Sequence, residues 1–228
     1  MDKIIYTADG IPVTVKRKRM RTIRLTVRPG GEVGCSAPFY TTEERISAFI
    51  REKSDWIKKQ REKLLDSPKT ETCYEDGEPF YYAGKKYVLR VSKDGKKGLY
   101  ISGEEAFLVC DGTREEREKV VKKWYKARLL PFVTGFAAEC AEATGLNPSS
   151  VSVRDMKTRW GTCNVKTKKI TFATGLMRVS EDLIFYVALH EVLHIKVPNH
   201  GKEFKTLLDR YMPDWREKRK RLKNFPLY

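Results

Sequence analysis

Histidine is scarce in this sequence, and its scarcity is informative. Only three occur among 228 residues. No two cysteines form a CxxC pair. The five (Cys35, Cys73, Cys110, Cys140, Cys163) are scattered and odd in number, which excludes a disulfide framework and a cysteine zinc knuckle. Free thiols in a reducing, cytoplasmic setting are the expectation. No apolar run approaches the roughly 20 residues that a membrane span needs. The first twenty residues, MDKIIYTADGIPVTVKRKRM, lack an apolar h-region and a small-residue cleavage site, so no secretory signal is expected. Internal repeats and low-complexity segments are absent as well.

Acidic residues are also in short supply. Thirty Asp and Glu face 46 Lys and Arg, giving a net charge of +16 and a pI near 9.6. One basic cluster holds Lys16, Arg17, Lys18, Arg19, Arg21, Arg24 and Arg28; a second holds Arg216, Lys218, Arg219, Lys220, Arg221 and Lys223. Such clusters attract polyanions, so weak binding of nucleic acid or another polyanion is a candidate property. The same charge serves equally as a solvated surface.

What is present reads as an α+β protein with 40% hydrophobic and 33% charged residues. IIYTA and VTVKR flank the turn signal Asp9-Gly10. Ile23, Leu25 and Val27 alternate with polar residues, as in a half-buried strand, and Glu32–Ser36 can pair back across Pro29-Gly30-Gly31. The spacing of Ile46, Phe49, Ile50, Trp56 and Ile57 predicts one helix over about 42–65, which Ser67-Pro68 breaks. Residues 66–112 return to β character. A long helix is expected from Thr113 to Thr144, kinked or split by Pro131 and ended by Gly145. VSVRDMKTRWGTCNVKTKKITFAT then alternates like two or three antiparallel strands. Ser180-Glu181-Asp182 opens a further helix, and Pro198 closes it just after His194. Two parts follow: 1–112, a β-rich region with one helix, and 113–228, a metal-binding catalytic domain.

The three histidines lie in one stretch, HEVLHIKVPNH, as His190, His194 and His200. Residues four apart share a helix face, so His190 and His194 can address one ion. Glu191 is rotated about 100° from His190 around the axis. It is poorly placed as a ligand but can reach a water on the ion, the position of a general base. A turn at Pro198 can return His200 as third ligand and leave the fourth position to water. The expected cofactor is one Zn2+ per chain, and the reaction hydrolysis. A structural zinc site is disfavoured, since it would take four protein ligands and leave Glu191 without a task.

MKTRWGTCN at 156–164, FYVALHEVLHIKVPNHGKEF at 185–204 and the N-terminal strands followed by Asp55-Trp56-Ile57 make this chain resemble the YgjP-like metallopeptidase-domain proteins, relatives of the SprT-like zincins. Metzincin proteases fit less well: they need glycine where Val197 stands, and Met212-Pro213 is a poor Met-turn. The resemblance implies a zincin-like C-terminal domain, a twisted sheet beside the active-site helix, with His190, His194 and His200 as ligands and Glu191 as catalytic base. It also implies an exposed edge strand that accepts substrate by strand addition. Lys168–Thr174 is the candidate, with Lys168, Ile170 and Phe172 as substrate-binding residues. Arg159 is a candidate for steadying an anionic group, or else a structural ion-pair or cation–π partner. Trp160 and Gly161 are read as turn-shaping, and Cys163 as a small buried hydrophobe. Three activities stay open: a metallopeptidase acting on peptides; a metal-dependent nucleotide pyrophosphatase acting on substrates such as UTP, as some family members have been described; and a nucleic-acid-associated SprT-like protease. A magnesium-phosphate enzyme usually carries several carboxylates, which do not accompany this motif.

Overall fold

The structure is a computed structural model that describes residues 3–28, 31–65 and 72–225, with side chains 63–65 excepted. Pro29-Gly30 and Ser67-Pro68, read above as turn and breaker, lie outside the described residues. The chain divides into two compact units, Met1–Glu71 and Thr72–Tyr228. The class is α+β, as expected.

In the first unit, β1 (Lys3–Tyr6), β2 (Pro12–Lys18), β3 (Arg24–Val27) and β4 (Val33–Pro38) form one sheet in the order β1-β2-β4-β3. The predicted hairpins are the antiparallel pairs β1–β2 and β3–β4, while β2 and β4 run parallel. Val13, Val33, Cys35 and Ala37 bury against Ile46, Ile50 and Ile57. The single helix expected over 42–65 is two, α1 (Glu43–Glu52) and α2 (Ser54–Leu65), broken at Lys53. Ser54 supplies a reason. It is buried, and its hydroxyl donates to the Ile50 carbonyl and accepts from the Ala8 N–H at 3.2 Å, which diverts the helix backbone. Trp56, expected inward, is 42% exposed.

The second unit begins with a sheet of β5 (Pro79–Tyr82), β6 (Lys85–Ser92), β7 (Gly98–Ser102) and β8 (Glu105–Val109), in the order β5-β6-β8-β7. The sequence reading grouped this sheet with the N-terminal part. Its inward residues Phe80, Leu89, Leu99 and Leu108 instead share a core with the helices that follow, so the boundary falls at 71/72 rather than 112/113. The β5–β6 turn is tied to that core by Ala83 N–H to Met177 O at 2.8 Å and Gly84 N–H to Arg178 O at 3.2 Å.

Helix α3 (Arg114–Thr144) opens with a Thr113/Glu116 capping box and ends at Gly145 in the left-handed region, φ 72°. Pro131 does not split it. Pro131 and Ala127, whose carbonyl loses its helical donor there, both lie on the exposed face, where water can satisfy that oxygen. The opposite stripe (Val121, Tyr125, Leu129, Val133, Ala137) is buried. Next, β9 (Ser150–Arg154), β10 (Gly161–Asn164) and β11 (Lys169–Ala173) form a sheet in the order β10-β11-β9. It is mixed, because β11 runs parallel to β9. A short 3-10 turn (Thr174–Arg178) leads to α4 (Glu181–Leu193), α5 (Lys202–Tyr211) and α6 (Trp215–Lys223). Helix α4 is apolar on nearly every side and packs against α3, β10, α5 and α6. That burial fixes the side chains at its C-terminal end. Among the described residues no helix is long and apolar enough to cross a membrane.

Candidate metal centre

The site forms where α4 runs out. His190 and Glu191 occupy its last turn, and His194 caps it. The chain turns through Ile195–Val197, and the Asn199 side-chain oxygen accepts from the Gly201 N–H at 3.1 Å ahead of α5. This tight PNHG turn swings His200 back over the helix end.

The three Nε2 atoms converge. His190 and His194 are 3.2 Å apart, His194 and His200 3.1 Å, and His190 and His200 2.9 Å. Three ring nitrogens aimed at one point cannot all be hydrogen-bonded to each other, because each such bond needs one proton on the shared line. Ligands about 2.0–2.1 Å from a tetrahedral ion are separated by about 3.3 Å, close to this triangle. His194 Nδ1 meets the Val197 carbonyl at 2.9 Å, which requires the proton on Nδ1 and frees the Nε2 lone pair. The donor set therefore fits a divalent cation. Among the described residues these three histidines are the one group of His, Cys, Asp or Glu placed to hold an ion. His190 Nδ1 departs from the usual pattern: it is buried with no hydrogen-bond partner among the described residues.

Phe204 of α5 lies under all three imidazoles. Its ring stacks on His194 at 4.6 Å and meets His190 at 4.8 Å and His200 at 5.0 Å edge-on. Its spacing from His200 matches one helical turn, a signal that could have tied it to the site.

Burial sets the electrostatics. The His190 imidazole is pushed down to about 3, first by desolvation, then by His194, His200 and Arg219. It is a neutral donor at ordinary pH. His200 is more open and shifts the same way, with burial first among the causes. The Glu191 carboxyl is pushed up to about 8 by burial, against the opposing pull of Arg159. A bound cation would favour the carboxylate again. The Cys163 thiol is raised to about 11 by burial and by Glu191, so it is neither a thiolate nor part of the histidine group.

Glu191 and the histidines line a cleft of about 560 Å3, whose opposite wall is Arg159, Trp160, Gly161 and Cys163. A larger cavity of about 670 Å3 lies elsewhere, between Leu99 and Trp124; Glu116 apart, its lining offers no metal ligand. Arg159 thus reaches the cleft. Gly161 does more than shape a turn: it opens β10 directly against Glu191.

The expected substrate strand needs correcting. β11 is the central strand, paired with β10 on one side and β9 on the other, and has no free edge. Ile170 and Phe172 are fully buried in the core, so they cannot meet a substrate. Lys168 sits in the preceding turn with φ 54°. The edge strand facing the cleft is β10.

A buried helix that offers two imidazoles and a carboxyl, closed by a third imidazole from the next turn, is a centre able to hold a metal ion. The family model described as YgjP-like, metallopeptidase domain, matches residues 21–225, and the chain belongs to that family. Membership implies a metal ion. Two solved structures are similar over part of the chain. The metallopeptidase zymogen jannalysin of Methanocaldococcus jannaschii is 24% identical, with TM-score 0.36, covering 40% of this chain and 86% of that one. The zymogen abylysin of Pyrococcus abyssi is 21% identical, with TM-score 0.37, covering 40% and 90%. None of the curated proteins matches the chain.

Proposed function

We propose that this protein is a zinc-dependent peptidase in which His190, His194 and His200 hold the ion and Glu191 is the general base. The observation that carries the reading is the convergence of the three Nε2 atoms in a cleft that also contains the Glu191 carboxyl. Zinc, when bound, lowers the pKa of a coordinated water toward about 7 and polarises a carbonyl.

The protein's own groups supply the rest. Glu191 takes a proton from the attacking water and returns it to the departing amine, so the peptide bond gains one water in total. The half-open backbone edge of β10 accepts an extended peptide by strand addition. Arg159, exposed at the rim of the cleft, is placed to attract an anionic group or to steady negative charge that develops on the carbonyl oxygen. The histidine group fits peptide hydrolysis better than the nucleotide alternative, because no cluster of carboxylates for magnesium accompanies it among the described residues.

Glu191→Gln tests the base. The variant is expected to keep zinc and lose turnover by several orders of magnitude. Turnover at the wild-type rate with zinc in place would remove Glu191 from the mechanism.

A further inference from the structure

Helix α6 carries more positive charge than the fold neutralises. Arg216 pairs with Asp209, Lys218 with Asp214 and Arg221 with Asp182. Among the described residues, Arg219, Lys220 and Lys223 form no ion pair. Arg216, Arg219, Lys220 and Lys223 are spaced so that they share one helix face, flanking the buried Trp215 and Leu222. Lys205 of α5 joins them around a cavity of about 400 Å3, walled by Trp215, over whose ring Arg216 lies at 4.6 Å. Cations held this close repel one another unless an anion sits among them.

This cavity leads to the metal centre. A smaller one of about 180 Å3 shares Lys205, Trp215 and Arg219 with it, and its far wall is His190, His200 and Phe204. Lys205 and Arg219 therefore line both cavities, and the inner one reaches the histidines past Trp215, Leu208 and Phe204.

We infer that this pocket is a carboxylate subsite for the substrate, with Arg219 and Lys205 as specificity-determining residues. The inference rests on the peptidase reading. An acidic side chain of the peptide, or its C-terminal carboxylate, docks on Arg219 and Lys205 while the scissile bond lies over the histidines. A peptide fits better than a nucleic acid. The stripe from Arg216 to Lys223 is only about 10 Å long at 1.5 Å per residue. The site then narrows from a cavity of about 400 Å3 to one of about 180 Å3, whereas a polynucleotide would need a longer open track.

The test measures binding separately from turnover. Zinc-loaded Glu191→Gln protein is titrated with four labelled peptides, acidic or neutral inside, each with a free or an amidated C-terminus. The carboxylate-bearing peptides are expected to bind about five- to tenfold more tightly than the neutral amidated one, with the difference shrinking as salt rises. Preference for the acidic interior identifies a side-chain carboxylate; preference for the free end identifies the terminus. Adding Arg219→Gln or Lys205→Gln should erase the preference with zinc content intact, while Lys86→Gln, an equal loss of charge on β6, should keep it. Equal affinities for all four peptides overturn the subsite, as does a preference that survives Arg219→Gln, or tighter Arg219-dependent binding of a single-stranded oligonucleotide. Hydrolysis by the wild-type protein is scored apart. Failure to cleave any peptide overturns the peptidase reading and leaves the binding result to decide the subsite.

Discussion

Gly161 stands directly against Glu191. A Cβ at position 161 would lie 2.6 Å from Glu191 Cγ, 2.7 Å from its Oε1 and 2.9 Å from its Cδ. The first residue of β10 thus sets where the carboxyl can rest. The backbone at Gly161 is not left-handed, so only the missing side chain matters.

Gly161→Ala should accordingly displace Glu191 while leaving the histidines alone. Hydrolysis is expected to fall about a hundredfold, since a shift of roughly 1 Å in a reacting group costs that much. Zinc stoichiometry, measured by metal analysis, should not change. Full activity in this variant would show that the carboxyl moves aside at no cost.

Phe204 should matter to metal binding as well as to folding. It is buried and touches all three imidazoles. Phe204→Ala is expected to destabilise the protein by about 3–5 kcal/mol. Phe204→Leu should fold and bind zinc about tenfold more weakly, because the rings lose the surface that holds their orientation. Competition with a chelator measures this, and unaltered affinity in Phe204→Leu would make the ring a core residue only.

The metal-free protein should be most stable on a mildly acidic plateau, from about pH 4.5 to 6.5, where the contributions of Glu191 and His190 cancel. Glu191 keeps its proton up to about 8 in the fold but ionises near its ordinary 4.5 when unfolded. The folded state then binds more protons, so stability falls as pH rises through that interval. His190 is depressed to about 3 from its ordinary 6.5, so the unfolded state binds more protons there and stability falls as pH drops through that interval. Melting temperature against pH in the presence of a chelator should show both limbs. Glu191→Gln should flatten the alkaline limb, and zinc should do the same by favouring the carboxylate. An alkaline limb unchanged by the substitution would contradict the buried, protonated Glu191.

Gly84 joins the first sheet of the second unit to the start of α4. Its φ is 80°, and a Cβ would fall 2.8 Å from Ser180 Cα and Cβ. Gly84→Ala is expected to cost about 1–3 kcal/mol through strain and displacement of the helix start. Thermal denaturation checks this, and an unchanged melting temperature would show that the β5–β6 turn is not a support of α4.

The parts of this site that local spacing defines were legible in the sequence. HExxH places two imidazoles on one helix face at any tertiary arrangement, and Pro198 limits where His200 can go. Strand order is not local. Alternation marks Lys169–Ala173 as a strand, but nothing in its period says whether it is central or at an edge. The pattern of Ile170 and Phe172 therefore suits a substrate edge as well as a core, and both are core. The role of Gly161 was hidden for the same reason, since a missing Cβ shows its purpose only once Glu191 is seen beside it. Residues 72–112 read as β, yet their attachment to α3 and α4 depends on which faces meet. Pro131 leaves α3 whole because the penalty for proline in a helix depends on the exposure of the carbonyl it leaves unpaired.

Zinc-loaded wild-type protein, incubated with an unstructured polypeptide and in parallel with nucleoside triphosphates, tests the central claim most directly. The account predicts new peptide termini by mass spectrometry, absent with Glu191→Gln, and no release of phosphate or pyrophosphate. Phosphoanhydride hydrolysis that depends on Glu191, with the polypeptide left intact, would contradict it.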